Sequence, residues 1–171
     1  MQTRFAAFVG ASLDGYIARP DGGLDWLKPF EGEEHGYGEF FASIDVLAIG
    51  RGTYDTVLGF PDWPYQGKRV VVCTRRPADP THGEEFWNGT PRALAERLDG
   101  EGARRVYVDG GALVSSFLRE GLIDELTVTV VPIILGDGRP LFAKPLPEIA
   151  LKLLHAQPFP SGLVQLRYRR G

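Results

Sequence analysis

The chain has 171 residues, a formal net charge of -3, and 43% hydrophobic against 24% charged residues. This length suits a single domain (residues 1–171) with a buried core, and this balance excludes disorder. The charge gives no electrostatic reason to bind nucleic acid or an anionic membrane, so a small molecule is the expected partner, and the lone Cys73 excludes an intrachain disulfide or a multi-cysteine zinc site.

Phe5 to Ala11 is apolar without alternation, as expected of a central strand covered on both faces. No small-residue cleavage pattern follows it, and no stretch has membrane-spanning length, so a cytoplasmic protein is expected. Ser12 to Asp25 reads as a long loop rich in glycine and aspartate, with Leu13, Tyr16, Ile17, Leu24 and the adjoining Trp26 packing over something. Glu31 to Ser43 reads as a helix whose acidic start complements the helix dipole, with Tyr37, Phe40, Phe41 and Ile44 on one face.

Asp45 to Ile49 is a second buried strand, running through Gly50-Arg51-Gly52-Thr53 into a helical turn, Tyr54 to Leu58. Lys68 to Thr74 is a third, ending in Arg75-Arg76-Pro77. Thr90-Pro91 supplies an N-cap and a first-turn proline for a helix with Ala93, Leu94 and Leu98 on its apolar face and Gly100 as its stop. Arg105 to Asp109 is a strand that meets Gly110-Gly111, and Ala112 onward opens a helix closing near Glu120-Gly121. Glu125 to Leu135 is the longest strand, interrupted at Pro132; Gly136 to Pro140 is a turn, and Leu151 to Ala156 with Leu163 to Arg169 forms an antiparallel hairpin. The order predicts a three-layer α/β/α domain with a mostly parallel central sheet and an antiparallel C-terminal hairpin.

Three strand ends carry glycine or arginine, at Gly50 to Thr53, at Thr74 to Arg76 and at Asp109 to Leu113, where a nucleotide would meet free helix amides. Each taken singly also reads as a tight turn or helix cap. Gly-x-Ser-x-Gly is absent, and His35, His82 and His155 sit in polar or terminal contexts without an evident nucleophile. The zinc deaminase signature is absent too, and no metal site is expected.

In order along the chain, Ser12-Leu13-Asp14-Gly15-Tyr16-Ile17-Ala18 with Asp21-Gly22 and Leu24-Asp25-Trp26, then Gly50-Arg51-Gly52-Thr53-Tyr54, Val106 to Leu118, Leu122 through Pro132, and Leu135 to Phe142 resemble the dihydrofolate reductase-like fold. They resemble in particular its branch containing the reductase domain of bacterial riboflavin biosynthesis, the RibD C-terminal type, here as a stand-alone member. The resemblance implies an oxidoreductase using NADPH to reduce a C=N or C=O bond of a small polar substrate. It places Gly50, Arg51, Gly52, Thr53, Gly110, Gly111, Ala112 and Leu113 around the pyrophosphate. Thr74, Arg75 and Arg76 fall near the 2′-phosphate, and Ala7 and Asp109 are further cofactor contacts. It also implies a cis Gly110-Gly111 peptide, a mobile flap from Ser12 to Trp26, and a homodimer. Asp14 is the leading polar group beside the hydride; counting back from Gly50 places Glu34 at the folate reductases' helical carboxylate, and either residue, or ordered water, is the expected proton source. The alternatives are a true dihydrofolate reductase and a non-catalytic nucleotide-binding module on the same fold.

Overall fold

The computed structural model describes residues 1–171. In chain order it contains β1 (Arg4–Ser12), β2 (Tyr16–Ala18), a 3-10 helix (Asp25–Phe30), α1 (Tyr37–Ala42), β3 (Val46–Gly50), α2 (Arg51–Leu58), β4 (Arg69–Cys73) and β5 (Glu85–Trp87). There follow α3 (Pro91–Gly100), β6 (Arg105–Asp109), α4 (Gly111–Arg119), β7 (Glu125–Val131), β8 (Arg139–Pro140), β9 (Leu151–Pro158) and β10 (Val164–Arg170). Eight strands form one sheet in the order β5-β4-β3-β6-β1-β7-β10-β9. All neighbours pair in parallel except β10, which is antiparallel to β7 and to β9. This is the expected mostly parallel sheet with its C-terminal hairpin.

The continuous apolar runs follow from burial on both faces. Phe5 and Ala7 of β1, Val46 and Ala48 of β3, and Val106 and Val108 of β6 face one core, closed by Leu94 and Leu98 of α3 and Val114 and Phe117 of α4. The intervening Ala6, Phe8, Leu47, Ile49 and Tyr107 face the other, closed by Phe40 of α1 and Tyr54 and Val57 of α2. A period of two therefore sends neighbouring residues to opposite helical layers, and neither face has reason to be polar. Thr90 caps α3 as expected, its Oγ1 accepting from Ala93 N at 3.1 Å, but Ala95 rather than Ala93 joins Leu94 and Leu98 in the core.

Several elements differ from the sequence reading. β2 and the start of the 3-10 helix fall in the stretch read as loop, and β8 falls in the stretch read as a turn. The strand expected to run from Glu125 to Leu135 as the longest ends at Val131, before Pro132, and is shorter than β1. The helix expected over Glu31 to Ser43 begins only at Tyr37. Gly36 before it has φ 86°, a left-handed conformation that a right-handed helix does not pass through, and Glu34 Oε1 accepts from Gly36 N at 2.7 Å to hold that turn. The short edge strand β5 lacks a long apolar run; its Glu85 instead ties it to Arg69 (2.6 Å) and Arg97 (2.7 Å). At the opposite edge all eight residues of β9 are exposed, including Leu151, Leu153 and Leu154.

The turn before β5 is organised by Glu84, which is buried. It accepts from Tyr54 Oη at 2.6 Å, Thr81 N at 3.0 Å and His82 N at 2.7 Å. Burial by itself raises the pKa of this carboxyl, but the hydrogen bonds from Tyr54, Thr81 and His82 outweigh it and bring the value from 4.5 to about 2. A depressed carboxyl contributes stability that is present above its unfolded pKa and lost as pH falls towards the folded one. Glu84→Gln should therefore cost roughly 1–3 kcal/mol at pH 7, and the difference from wild type should shrink between about pH 4.5 and 2. Urea unfolding at both ends of that window measures it; a cost independent of pH would refute the ionic role.

Candidate active site

The chain leaves β3 for β4 and β5 at the sheet edge, then returns through α3 to insert β6 between β3 and β1. A crevice forms beyond the carboxyl ends of the strands where the order reverses in this way. Two glycine junctions meet there. Gly50 ends β3 and precedes α2, Gly110 follows β6 and precedes α4, and neither helix start receives a side-chain cap. A Cβ on Gly110 would lie 2.8 Å from Thr53 Oγ1 and 3.7 Å from Gly50 N, and one on Gly50 would lie 3.7 Å from Leu113 Cβ. Two sets of first-turn amides, which have no partners within their helices, and two positive dipole ends are thus side by side.

The Gly110-Gly111 peptide is trans, contrary to the expectation; the chain's cis peptide is Lys144-Pro145. The turn is made instead by Gly110 at φ 100°, a conformation open to glycine. Gly111 needs its missing Cβ for space. A methyl there would overlap the Pro140 carbonyl oxygen and come within 3.2 Å of Leu141 O and Ile17 Cδ1.

A cavity of about 510 Å³ opens over these junctions. Gly50, Arg51, Gly52, Thr53, Asp109, Gly110, Gly111, Ala112 and Leu113, residues that the resemblance implies as cofactor contacts, line it. Phe8, Val9 and Gly10 of β1 add to its wall, Tyr65 and Tyr107 add phenols, and Leu24 and Leu27 close it from the flap side. Beside it a second cavity of about 400 Å³ is lined by Thr74, Arg75 and Trp87, and shares Arg51 and Leu113 with the first. The tandem suits an elongated ligand lying across α2 and α4, with its far end at the β4 terminus.

Several expected residues have other surroundings. Arg51 is engaged by Asp55, at 2.8 Å, and by the Arg76 carbonyl. Arg76 lines neither cavity; its amide donates to Thr74 Oγ1 at 3.0 Å, so it shapes the turn that presents Arg75. Ala7 is packed into the core between β6 and β7 and lines neither cavity. Glu34 is exposed and outside both, because the residues meant to carry it inward on a helix form a turn instead.

Asp14 also lies outside both cavities. Its carboxylate accepts from Ser12 Oγ (2.6 Å), Leu135 N (3.1 Å) and Gly136 N (2.8 Å). The Ser12 hydroxyl, and then the two amides, hold its pKa below the ordinary carboxylate range, so it is a fastening and a poor proton donor. It ties the flap to the segment before β8. Leu141 N donates to Gly15 O at 2.9 Å, and β2 pairs with β8 through Tyr16↔Pro140 and Ala18↔Arg139. The flap therefore forms one wall of the cavity as a two-stranded unit, with Trp26 buried against Val131 and Leu163 at its base.

The carboxyl that does face the cavity is Asp109, at the end of β6. Part of its surface is open, yet burial pushes its pKa from 3.8 up to about 6, against the lowering effects of the Gly110 amide (2.9 Å) and Tyr107. Tyr107 Oη donates to Phe8 O at 2.9 Å. Burial, and secondarily the charge of Asp109, pushes Tyr37 up to about 12 and Tyr65 higher still, so these phenols remain protonated. Cys73, on the rim of the second cavity, is pushed up by burial to about 12 and is no nucleophile. The resemblance implied Asp109 as a cofactor contact; its burial among tyrosines from distant segments was not readable from the β6 run.

The sheet order, the glycine junctions and the twin cavities define a dihydrofolate reductase-like fold. The same fold occurs in Enterococcus faecalis dihydrofolate reductase, solved with NADP(H): TM-score 0.70, 19% identity, 100% of this chain and 98% of that one covered. The chain belongs to the RibD C-terminal domain family, whose model matches residues 5–165. It is 40% identical to the Bacillus subtilis (strain 168) protein YwjB over 176 residues, covering 100% of both. It is also similar to a crystal structure of a Shewanella sp. PV-4 protein named for riboflavin biosynthesis, at 33% identity and TM-score 0.91, with 99% of each chain covered. Family and fold together support a reductase-type function. No helix is long and apolar enough to cross a membrane.

Proposed function

We propose that this chain is an NADPH-dependent reductase acting on a C=N or C=O bond of a small ring-bearing acceptor. The observation that carries the reading is the meeting of two uncapped helix starts, at Gly50 and Gly110, in one cavity. A bound dinucleotide supplies the hydride. The amides opening α2 and α4 would bind its diphosphate, Thr53 adds a hydroxyl, and Arg75 with Trp87 would receive the adenosine end in the second cavity. Leu24, Leu27 and Phe8 would exclude water around the acceptor ring. Asp109 holds the proton that the acceptor's nitrogen or oxygen takes up as its carbon is reduced. The carboxylate serving this cavity comes from β6 rather than from the helix before β3, which separates its acceptor chemistry from the expectation built on folate.

Titration of the protein with NADPH, followed by tryptophan fluorescence or calorimetry, tests the first half. Saturation at micromolar concentration is expected, and a folded protein that ignores millimolar NADPH ends the reading. Arg75→Ala should weaken NADPH about tenfold while leaving NADH within twofold. An equal loss for both would remove the 2′-phosphate from Arg75. NADPH absorbance in a screen of pterins, flavin precursors and simple imines then identifies the acceptor class.

A further inference from the structure

Arg139 stands apart from the other arginines of the flap and the main cavity. Arg19 in the flap is paired with Asp25 at 2.7 Å, and Arg51 with Asp55 at 2.8 Å. Arg139 lines the main cavity, yet it enters no salt bridge with any carboxylate of the chain. Its position is defined by two glycines. A Cβ on Gly22 of the flap would meet its Cζ, Nη1 and Nη2 each at 3.1 Å, and a Cβ on Gly52 at the start of α2 would meet its Nη1 at 3.5 Å. The guanidinium thus spans the gap between the flap and the first turn of α2. Its backbone is held there by pairing with Ala18, while neighbouring Pro140 packs over Gly111 of α4.

An unpaired guanidinium beside the positive start of α2 is an arrangement that an anion relieves. The planar fork of an arginine suits paired phosphate oxygens, and the glycines on both sides leave them room. We propose that Arg139 is a ligand of the cofactor's diphosphate and that, being the meeting point of flap and α2, it makes ordering of the flap depend on that diphosphate. The inference rests on the dinucleotide reading above. It adds that the guanidinium serving the diphosphate is Arg139, supplied by β8, in addition to the helix amides. A ligand with phosphates but no diphosphate leaves the flap in its unliganded state.

The test compares wild type with Arg139→Gln and Arg139→Lys, using NADPH and 2′,5′-ADP, which carries the 2′-phosphate but no diphosphate. Thermal unfolding first establishes that each variant is folded, and Arg139→Lys, which keeps the charge, serves if Arg139→Gln is not. Arg139→Gln should weaken NADPH about 10- to 100-fold and leave 2′,5′-ADP within twofold; Arg139→Lys should fall between. Amide hydrogen exchange over residues 13–24 should slow in wild type with saturating NADPH, and remain fast with 2′,5′-ADP or in saturated Arg139→Gln. Unchanged NADPH affinity in Arg139→Gln, or equal flap protection in that variant, overturns the inference while the dinucleotide reading stands. Failure of wild type to bind NADPH overturns that reading and this inference with it.

Discussion

Gly111→Ala should destabilise the protein by roughly 2–4 kcal/mol and abolish measurable NADPH binding. The methyl would overlap the Pro140 carbonyl oxygen and crowd Leu141 O and Ile17 Cδ1. Two of these three atoms belong to backbone, so no rotamer change relieves the clash. The segment through β8 must lift, and it carries β2 with it through the Tyr16↔Pro140 and Ala18↔Arg139 pairing. Lifting that pair opens the cavity above the α4 amides. Gly38→Ala is the control: nothing lies within 4 Å of its Cβ position, its φ is not positive, and it sits inside α1. There the exchange should stabilise by about 0.4–1 kcal/mol. Urea unfolding and NADPH titration of both variants measure the contrast, and a Gly111→Ala protein as stable as wild type would show that β8 does not pack on α4 as described.

Asp109→Asn should make the protein more stable at neutral pH and much less active. The direction follows from the raised pKa. The folded state favours the protonated carboxyl, so the stability contribution of Asp109 is fully present below 3.8 and is lost as pH rises through about 6. Asparagine keeps an oxygen for the Gly110 amide, which Asp109 Oδ1 binds at 2.9 Å, and carries no charge to desolvate. The variant should match wild type near pH 4 and exceed it by about 1–3 kcal/mol above pH 7, allowing for the part of the carboxyl that solvent reaches. Turnover with the acceptor found in the screen should fall about 10²- to 10⁴-fold, and the loss of wild-type rate as pH rises through 6 should vanish. NADPH affinity should change little. A variant with wild-type turnover and an unaltered pH profile would take the proton from Asp109 and return the role to water.

These two positions also mark how far the sequence can be read. The strands of the two-faced core and the glycine junctions at Gly50 and Gly110 were legible because their causes are local: unbroken apolar runs, a missing Cβ, a break in periodicity. The Thr90-Pro91 cap was legible for the same reason. The short edge strand β5 was not, since Glu85 ties it to Arg69 and Arg97 and it has no long apolar run of its own. The helix expected from Glu31 failed at Gly36, where a left-handed backbone conformation overrode the apolar spacing around it.

The polar site divides in the same way. Sequence by itself determined the α/β layering, the paired helix starts and the residue types gathered at the strand ends, all consequences of backbone conformation and side-chain period. Tertiary structure alone decided which charges are available. Asp14 is consumed by the amides of Leu135 and Gly136, Glu34 by its own turn, and Arg51 by Asp55 and the Arg76 carbonyl. Asp109 is left facing the cavity and Arg139 is left unpaired beside it. The availability of a charge depends on every partner within hydrogen-bonding reach, and for Asp14 and Arg51 the deciding partners lie up to 122 residues away along the chain.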